Sequence, residues 1–134
     1  MRITARALLA AVAVIVIFAA ALPAAGDITY PARLEITETS PGTYDVLFGL
    51  PMVQGRILRA EPVMPDTCRD LGEREQLVTA SGRTLRWSVA CEPASLAGQV
   101  ILVEGLLGTQ NDMAFTLTLL DGRVFSRVLQ SARP

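Results

Sequence analysis

Residues 81–91, SGRTLRWSVAC, constrain the fold of this chain more than any other stretch. A Ser-Gly turn pair leads into an alternation that places Leu85, Trp87, Val89 and Cys91 on one face. Successive side chains of a strand point to opposite faces, so the alternation predicts a β-strand with one wet and one dry side. The single tryptophan and one of the two cysteines lie on the dry side. We interpret that side as the floor of a hydrophobic core.

The two cysteines, Cys68 and Cys91, predict a disulfide bond that helps to close this core. The chain has no Cys-x-x-Cys motif and no histidine, which disfavours a metal site or a catalytic thiol. Loop-closure arithmetic assigns a bond between these positions about 3 kcal/mol of stability. In a small domain that is a large share of the free energy of unfolding.

The rest of the chain also alternates, in short runs that turn residues separate. The run 99–106 is apolar on both faces and predicts a central strand. Pro62 cannot donate to a ladder and indicates an edge strand or a bulge. Hairpins are expected at Ser81-Gly82 and at Asp121-Gly122. Besides the strand over 83–91, the predicted strands cover residues 32–38, 43–50, 56–64, 76–80, 99–106, 113–119 and 123–129.

Seven or eight short strands at regular spacing, without an amphipathic helix, predict an all-β fold built as an antiparallel β-sandwich. An immunoglobulin-like topology is one possibility. The Cys-Trp-Cys order of true immunoglobulin domains is broken, however, because Trp87 comes just before Cys91. We expect one such domain over residues 27–134.

Residues 1–26 have the pattern of a secretory signal peptide. Arg2 and Arg6 precede an apolar run over residues 7–22, and small residues lead from it to Gly26. Cleavage between Gly26 and Asp27 would release the domain into the periplasm. The alternative is an uncleaved N-terminal anchor, although the run is shorter than the roughly 20 residues that span a bilayer comfortably. In that case the leader would make the only contact with the membrane.

Residues 65–75, PDTCRDLGERE, form the least regular segment, and its acidic side chains allow two interpretations. Clustered carboxylates are the ligands that hard cations prefer, so one interpretation is a cation site. The other is a solvated loop in which Arg69 and Arg74 balance the charge. The spacing matches no calcium-binding loop, which favours the solvated loop. The acidic residues concerned are Asp66, Asp70, Glu73 and Glu75.

Composition excludes several classes of function. The 12 basic residues, all arginine, are balanced by 13 acidic residues, and no basic run offers a surface to nucleic acid. Without histidine the chain has no Ser-His-Asp or Cys-His nucleophile and no His-ligated zinc or copper. We therefore expect a non-catalytic protein without a cofactor. A domain that binds a solute or glycan is the alternative, and it would need exposed aromatic side chains in a groove. A hydrolase with paired acids ranks below both.

Residues 34–39, LEITET, and 41–47, PGTYDVL, followed by Pro51, resemble the exported N-terminal region of the larger HupE/UreJ family proteins. The likeness covers most of residues 32–128. It continues through LRAEP at 58–62, PDTC at 65–68, WSVAC at 87–91, VEGL at 103–106 and DGR at 121–123.

The resemblance implies a periplasmic β domain. In the family this domain precedes a multi-helix membrane domain that is associated with nickel or cobalt uptake. The metal-carrying residues of the family lie in that membrane part, so the resemblance carries no metal ligand over to this chain. A histidine that family members often place before the first strand is also missing here, where residues 27–31 are DITYP. The resemblance thus implies an accessory or interaction module whose partner is a separately encoded membrane transporter.

The intact mass of the exported protein tests the leader. We expect a mass that corresponds to a chain beginning at Asp27, because the small residues up to Gly26 suit signal peptidase. A mass that retains residues 1–26 would establish the anchored form instead.

Overall fold

In the computed structural model, residues 31–106 and 111–130 are described, and all their regular structure is β-strand. This confirms the predicted all-β class. The predicted cleavage site at Gly26 and Asp27 lies outside the described residues. The nine strands are β1 (Ala32–Ser40), β2 (Thr43–Val53), β3 (Arg56–Ile57), β4 (Glu61–Val63), β5 (Cys68–Thr79), β6 (Gly82–Cys91), β7 (Leu102–Glu104), β8 (Met113–Thr118) and β9 (Val124–Leu129).

A large sheet carries most of the strands. Its order is β5-β6-β2-β1-β8-β9, and the short β3 pairs with the end of β2. Neighbours are antiparallel with one exception, because β1 and β8 run parallel from Ala32 opposite Met113 to Thr37 opposite Thr118. The sheet is therefore mainly antiparallel, as predicted, with one parallel pair that the sequence did not predict. Local alternation does not encode the direction of a strand that pairs from far along the chain.

The second layer is small. It contains the two-stranded sheet of β4 and β7, together with the segment over residues 92–101. Ala60, Leu96 and Leu106 are buried there against the large sheet. The predicted sandwich thus has two layers of very unequal size.

The alternation within the central strands is confirmed by burial. On β1 and β2 the inward side chains are almost fully buried, and the outward ones are mostly exposed or half-buried. On β6 the face predicted to be dry is buried, and it includes Trp87. A pleated strand separates its two faces in this way, so one face of the large sheet forms the core floor. The core side chains of these strands are Leu34, Ile36, Tyr44, Val46, Phe48, Leu50, Leu85, Trp87, Val89 and Cys91.

Only residues 65–67 form a turn and residues 68–75 are strand, which corrects the sequence-based interpretation of a loop over residues 65–75. From Cys68 onward they belong to β5, which pairs with β6 and has a bulge between Leu71 and Glu75. Nearly every β5 residue is exposed, because the strand lies at an edge of the sheet. A charged, solvated edge strand has the composition of a loop, and the sequence alone did not separate the two.

The prediction of a central strand over residues 99–106 is also wrong. Only Leu102–Glu104 is a strand, and it pairs with β4 in the small sheet. The central positions beside β2 are taken by β1 and β6. Ile101 and Val103 turn toward the core, while Val100 is 71% exposed.

The predicted strand over 56–64 is split into β3 and β4. Pro62 is buried on β4 opposite Val103, and β7 is the only neighbour of β4 in the described chain. This confirms the edge position that the proline indicated, since an edge strand tolerates a missing ladder donor.

Cys68 and Cys91 form the predicted disulfide. They face each other on the antiparallel strands β5 and β6, with their Cα atoms 4.0 Å apart. The bond therefore joins neighbouring strands of one sheet. At the other end of this hairpin, Gly82 has a φ of +154°. A Cβ there would collide with the carbonyl oxygen of Leu50, so only glycine fits.

Removing the disulfide should destabilise the domain substantially. Cys68→Ala/Cys91→Ala, measured by urea unfolding, is expected to lose about 3 kcal/mol because the unfolded chain regains the entropy of the open loop. Reducing agent should lower the melting temperature of the wild type by a similar effect and leave the double variant unchanged. Equal unfolding midpoints for the oxidised and reduced wild type would contradict the prediction.

Candidate functional site

The second layer does not cover the whole inner face of the large sheet, and an apolar groove lies where the cover ends. It runs between the inner face of β8 and β9 and the segment over residues 96–101. Its volume is about 330 Å³. Phe115 is half-buried in it, and Phe125 is 41% exposed at its border. The other apolar side chains of the groove are Leu34, Leu96, Ile101, Leu117 and Leu129.

The register of β8 and β9 explains why these side chains meet. Leu117 pairs with Phe125, and Met113 pairs with Leu129, so all four point to the face on which β1 buries Leu34. Directly opposite residues of an antiparallel pair share a face. The inward face of this hairpin is thus apolar except for Arg127, which pairs with Phe115.

The opposite wall of the groove is held by Tyr44. Its phenol lies in the core, where its hydroxyl donates to the carbonyl oxygen of Ala94 and accepts from the backbone N–H of Leu96 at 3.1 Å. Leu96 is itself buried, and Gln99 N–H donates to its carbonyl at 3.1 Å to close a turn. One core side chain from β2 therefore fixes the segment that borders the groove.

Burial raises the pKa of Tyr44 above its ordinary value of 10.0. The hydrogen bond from Leu96 lowers the pKa in part, and the nearby carboxylate of Glu38 raises it. The net direction is upward, because a phenolate in the core would lose its hydration. The neutral phenol is the form that donates to Ala94.

Among the residues that the structure describes, Arg127 is the one charged side chain that lines the groove. Its Nη1 donates to the carbonyl oxygen of Ser126 at 3.0 Å. It forms no ion pair with any residue in the described part of the chain. The groove thus presents an apolar surface together with a guanidinium that can take a carboxylate.

The acidic residues of the segment 65–75 do not gather around one point. Asp70 pairs with Arg74 at 2.9 Å, and the Arg74 guanidinium lies 4.4 Å from the centre of the Trp87 ring. Glu73 and Glu75 instead line a depression of about 570 Å³ on the outer face of the sheet, with Glu35, Asp45 and Arg86. Within residues 31–106 and 111–130, no group of three or more His, Cys, Asp or Glu is placed to hold a metal ion.

The aromatic side chains divide between the core and the groove. Tyr44, Phe48 and Trp87 are in the core. Phe115 and Phe125 border the groove and were not singled out. The signal for them is present in residues 123–129, RVFSRVL, where apolar residues occupy both faces of a strand near the chain end. Such a strand cannot be buried on both faces at the edge of a small sheet, so part of its apolar surface stays accessible.

Comparisons with known proteins give no relative. No family model matches the chain, and neither a curated protein nor a solved structure matches it. In the described ranges the structure contains no helix of the length and apolar character needed to cross a bilayer.

Tyr44→Phe should lower the free energy of unfolding by about 1–3 kcal/mol at neutral pH, because Leu96 N–H and the Ala94 carbonyl lose their partner. The folded state holds the phenol proton more tightly than the unfolded chain does. The stability that Tyr44 contributes is therefore complete below pH 10 and lost as pH rises through the raised pKa. Urea unfolding of both proteins from pH 7 to pH 11 measures this. A stability difference that does not shrink with pH would contradict it.

Proposed function

We propose that this chain is an exported, non-catalytic interaction domain that holds an apolar segment of a partner protein in the groove beside β8 and β9. The observation that carries the proposal is the apolar groove along this hairpin, where Phe115 is half-buried and Phe125 is 41% exposed. Apolar surface that a domain leaves uncovered in a contiguous groove is typical of sites that bind another molecule.

The size and chemistry of the groove favour a polypeptide segment. Its volume of about 330 Å³ is at the lower end of the roughly 300–1,000 Å³ typical of small-molecule sites. It is open to solvent at Phe125, so it suits a few side chains of an extended segment better than an enclosed solute. Arg127 adds a preference for a segment that carries a carboxylate beside its apolar residues.

The compartment and the partner come from other observations. The Cys68–Cys91 disulfide is compatible with an oxidising compartment such as the periplasm, to which the signal-peptide pattern points. The resemblance to the exported region of HupE/UreJ family proteins suggests a separately encoded nickel or cobalt transporter in the membrane. On this proposal the domain docks onto a periplasmic segment of that transporter and takes no part in metal ligation.

An exported solute-binding domain is the second candidate. The two phenylalanines at the groove, Phe115 and Phe125, favour an apolar solute with a carboxylate that Arg127 could bind. A glycan fits less well, because glycan sites combine aromatic platforms with several polar groups, and Arg127 is the only charged residue of the groove within the described ranges.

Site-specific photocrosslinking tests the proposal. A benzoylphenylalanine would replace Phe115 in the groove, or Leu77 on the outer face of β5. The chain would be exported together with the proposed partner, a membrane transporter of the HupE/UreJ type. We expect a crosslink to that membrane protein from position 115 and none from position 77. Leu77 is a matched control because it is an apolar residue that is 64% exposed and far from the groove in the sheet order.

Equal crosslinking from both positions, or from neither, would contradict a docking site in the groove. The variant Ile101→Asp supplies a second test that does not depend on the photoprobe. It places a carboxylate on the groove wall and should abolish co-purification with the same membrane protein, whereas Leu77→Asp should not. Loss of the crosslink on addition of a small apolar carboxylic acid, without loss of folding, would favour the solute-binding candidate.

A further inference from the structure

In the described part of the chain, β9 is the last strand of the large sheet, and no further strand pairs with its outer backbone edge. Leu119 N–H donates to the Arg123 carbonyl at 2.9 Å, so that carbonyl faces β8. Backbone groups of successive strand residues alternate in direction. The N–H and C=O groups of Val124, Ser126 and Val128 therefore point away from β8. Among described residues, only the Arg127 guanidinium contacts any of them, at the Ser126 carbonyl.

The two edges of the large sheet differ in how they are protected. β5 has a bulge between Leu71 and Glu75 and is rich in charged residues, which are devices that discourage edge pairing. β9 has no register shift in its pairing with β8. Val124 is 58% exposed and Val128 is 64% exposed, both on the outer face. A regular, apolar, unpaired strand edge is a template for another strand.

We propose that two copies of this chain pair through β9, antiparallel and about a two-fold axis at Ser126. In this register Ser126 faces Ser126 of the second copy, and Val124 faces its Val128. Once the Arg127 guanidinium releases the Ser126 carbonyl, the outward-pointing backbone groups exchange about six hydrogen bonds across the axis. The two large sheets become one continuous sheet.

Charge disfavours the two neighbouring symmetric registers. With the axis at Ser126, Phe125 lies opposite Arg127 of the second copy. No backbone hydrogen bonds join this pair, and in an antiparallel ladder the side chains of such a pair come closest. A guanidinium against an aromatic ring is attractive. Moving the axis to Arg127 would set two arginines face to face, and moving it to Phe125 would set Arg127 against Arg123. Like charges directly opposite destabilise a strand pair.

The two-fold symmetry explains why the assembly stops at two copies. A two-fold contact uses the β9 edge of both partners, and the remaining edges are the protected β5 strands. The inference rests on the edge geometry and does not depend on the proposed function. It has a consequence for the groove, because Arg127 of the second copy would lie beside Phe125 at its border.

Cysteine crosslinking of the full exported chain reads the position of the axis. In the proposed register the Cα atoms of residue 126 in the two copies are about 5.5 Å apart, which permits a disulfide. Ser126→Cys should therefore form a covalent dimer under mild oxidation. The matched control is Val124→Cys, which is equally accessible but faces position 128 and should stay largely monomeric. Equal yields from the two variants would overturn the proposal.

Sedimentation of charge variants provides an independent test. In Phe125→Arg the new arginine of each copy lies opposite Arg127 of the other. The dimer association constant should therefore fall at least about tenfold. Adding Arg127→Glu to it should restore association, since each new arginine then faces a carboxylate. A purely structural effect of Phe125→Arg would not be reversed in this way. Wild-type protein that sediments as a monomer up to millimolar concentration would also overturn the proposal.

Discussion

The inner face of the large sheet is wider than the layer that covers it. Burying the alternate side chains of β1, β2 and β6 supplies the core, and the small β4–β7 sheet with the segment over residues 92–101 is enough to cover those strands. It covers β8, where Met113 and Leu117 are buried, but it does not reach across β9, where Phe125 is 41% exposed. Both surfaces to which we assign binding follow from this mismatch, because the partly uncovered hairpin leaves a groove on its inner face and an open backbone edge on its last strand.

The second layer is held in place mainly by one polar side chain in an apolar core. Tyr44 holds the backbone of Ala94 and Leu96, and Arg83 reaches the Ala60 carbonyl at 3.2 Å from the next strand. Buried hydrogen bonds of this kind specify where a layer sits, whereas apolar contacts alone allow it to slide. The groove keeps its width because its two walls belong to elements that are tied to β2 and β1 independently.

Period-two patterns were sufficient to predict the central strands, their inward faces and both hairpins. A half-buried strand alternates apolar and polar residues, so its burial can be predicted from the sequence. These patterns failed where a strand is exposed, or where an apolar segment is not a central strand. Exposed β5 has the composition of a loop, and residues 99–106 are apolar without being central. The disulfide partners were predictable because the chain has only two cysteines. The groove was not, because it depends on which strand becomes the neighbour of β1, and no local pattern encodes that choice.

The parallel pairing of β1 with β8 joins the two ends of the domain. A chain that emerges from its N-terminus can form the β1–β2 hairpin at once. The other edge of β1 stays unpaired until β8 has also emerged. Such long-range closure is entropically slow compared with hairpin formation. Until it happens, Leu34 and Ile36 lie on a temporary border of the growing sheet. The order of delivery thus makes the last hairpin the step that completes the core.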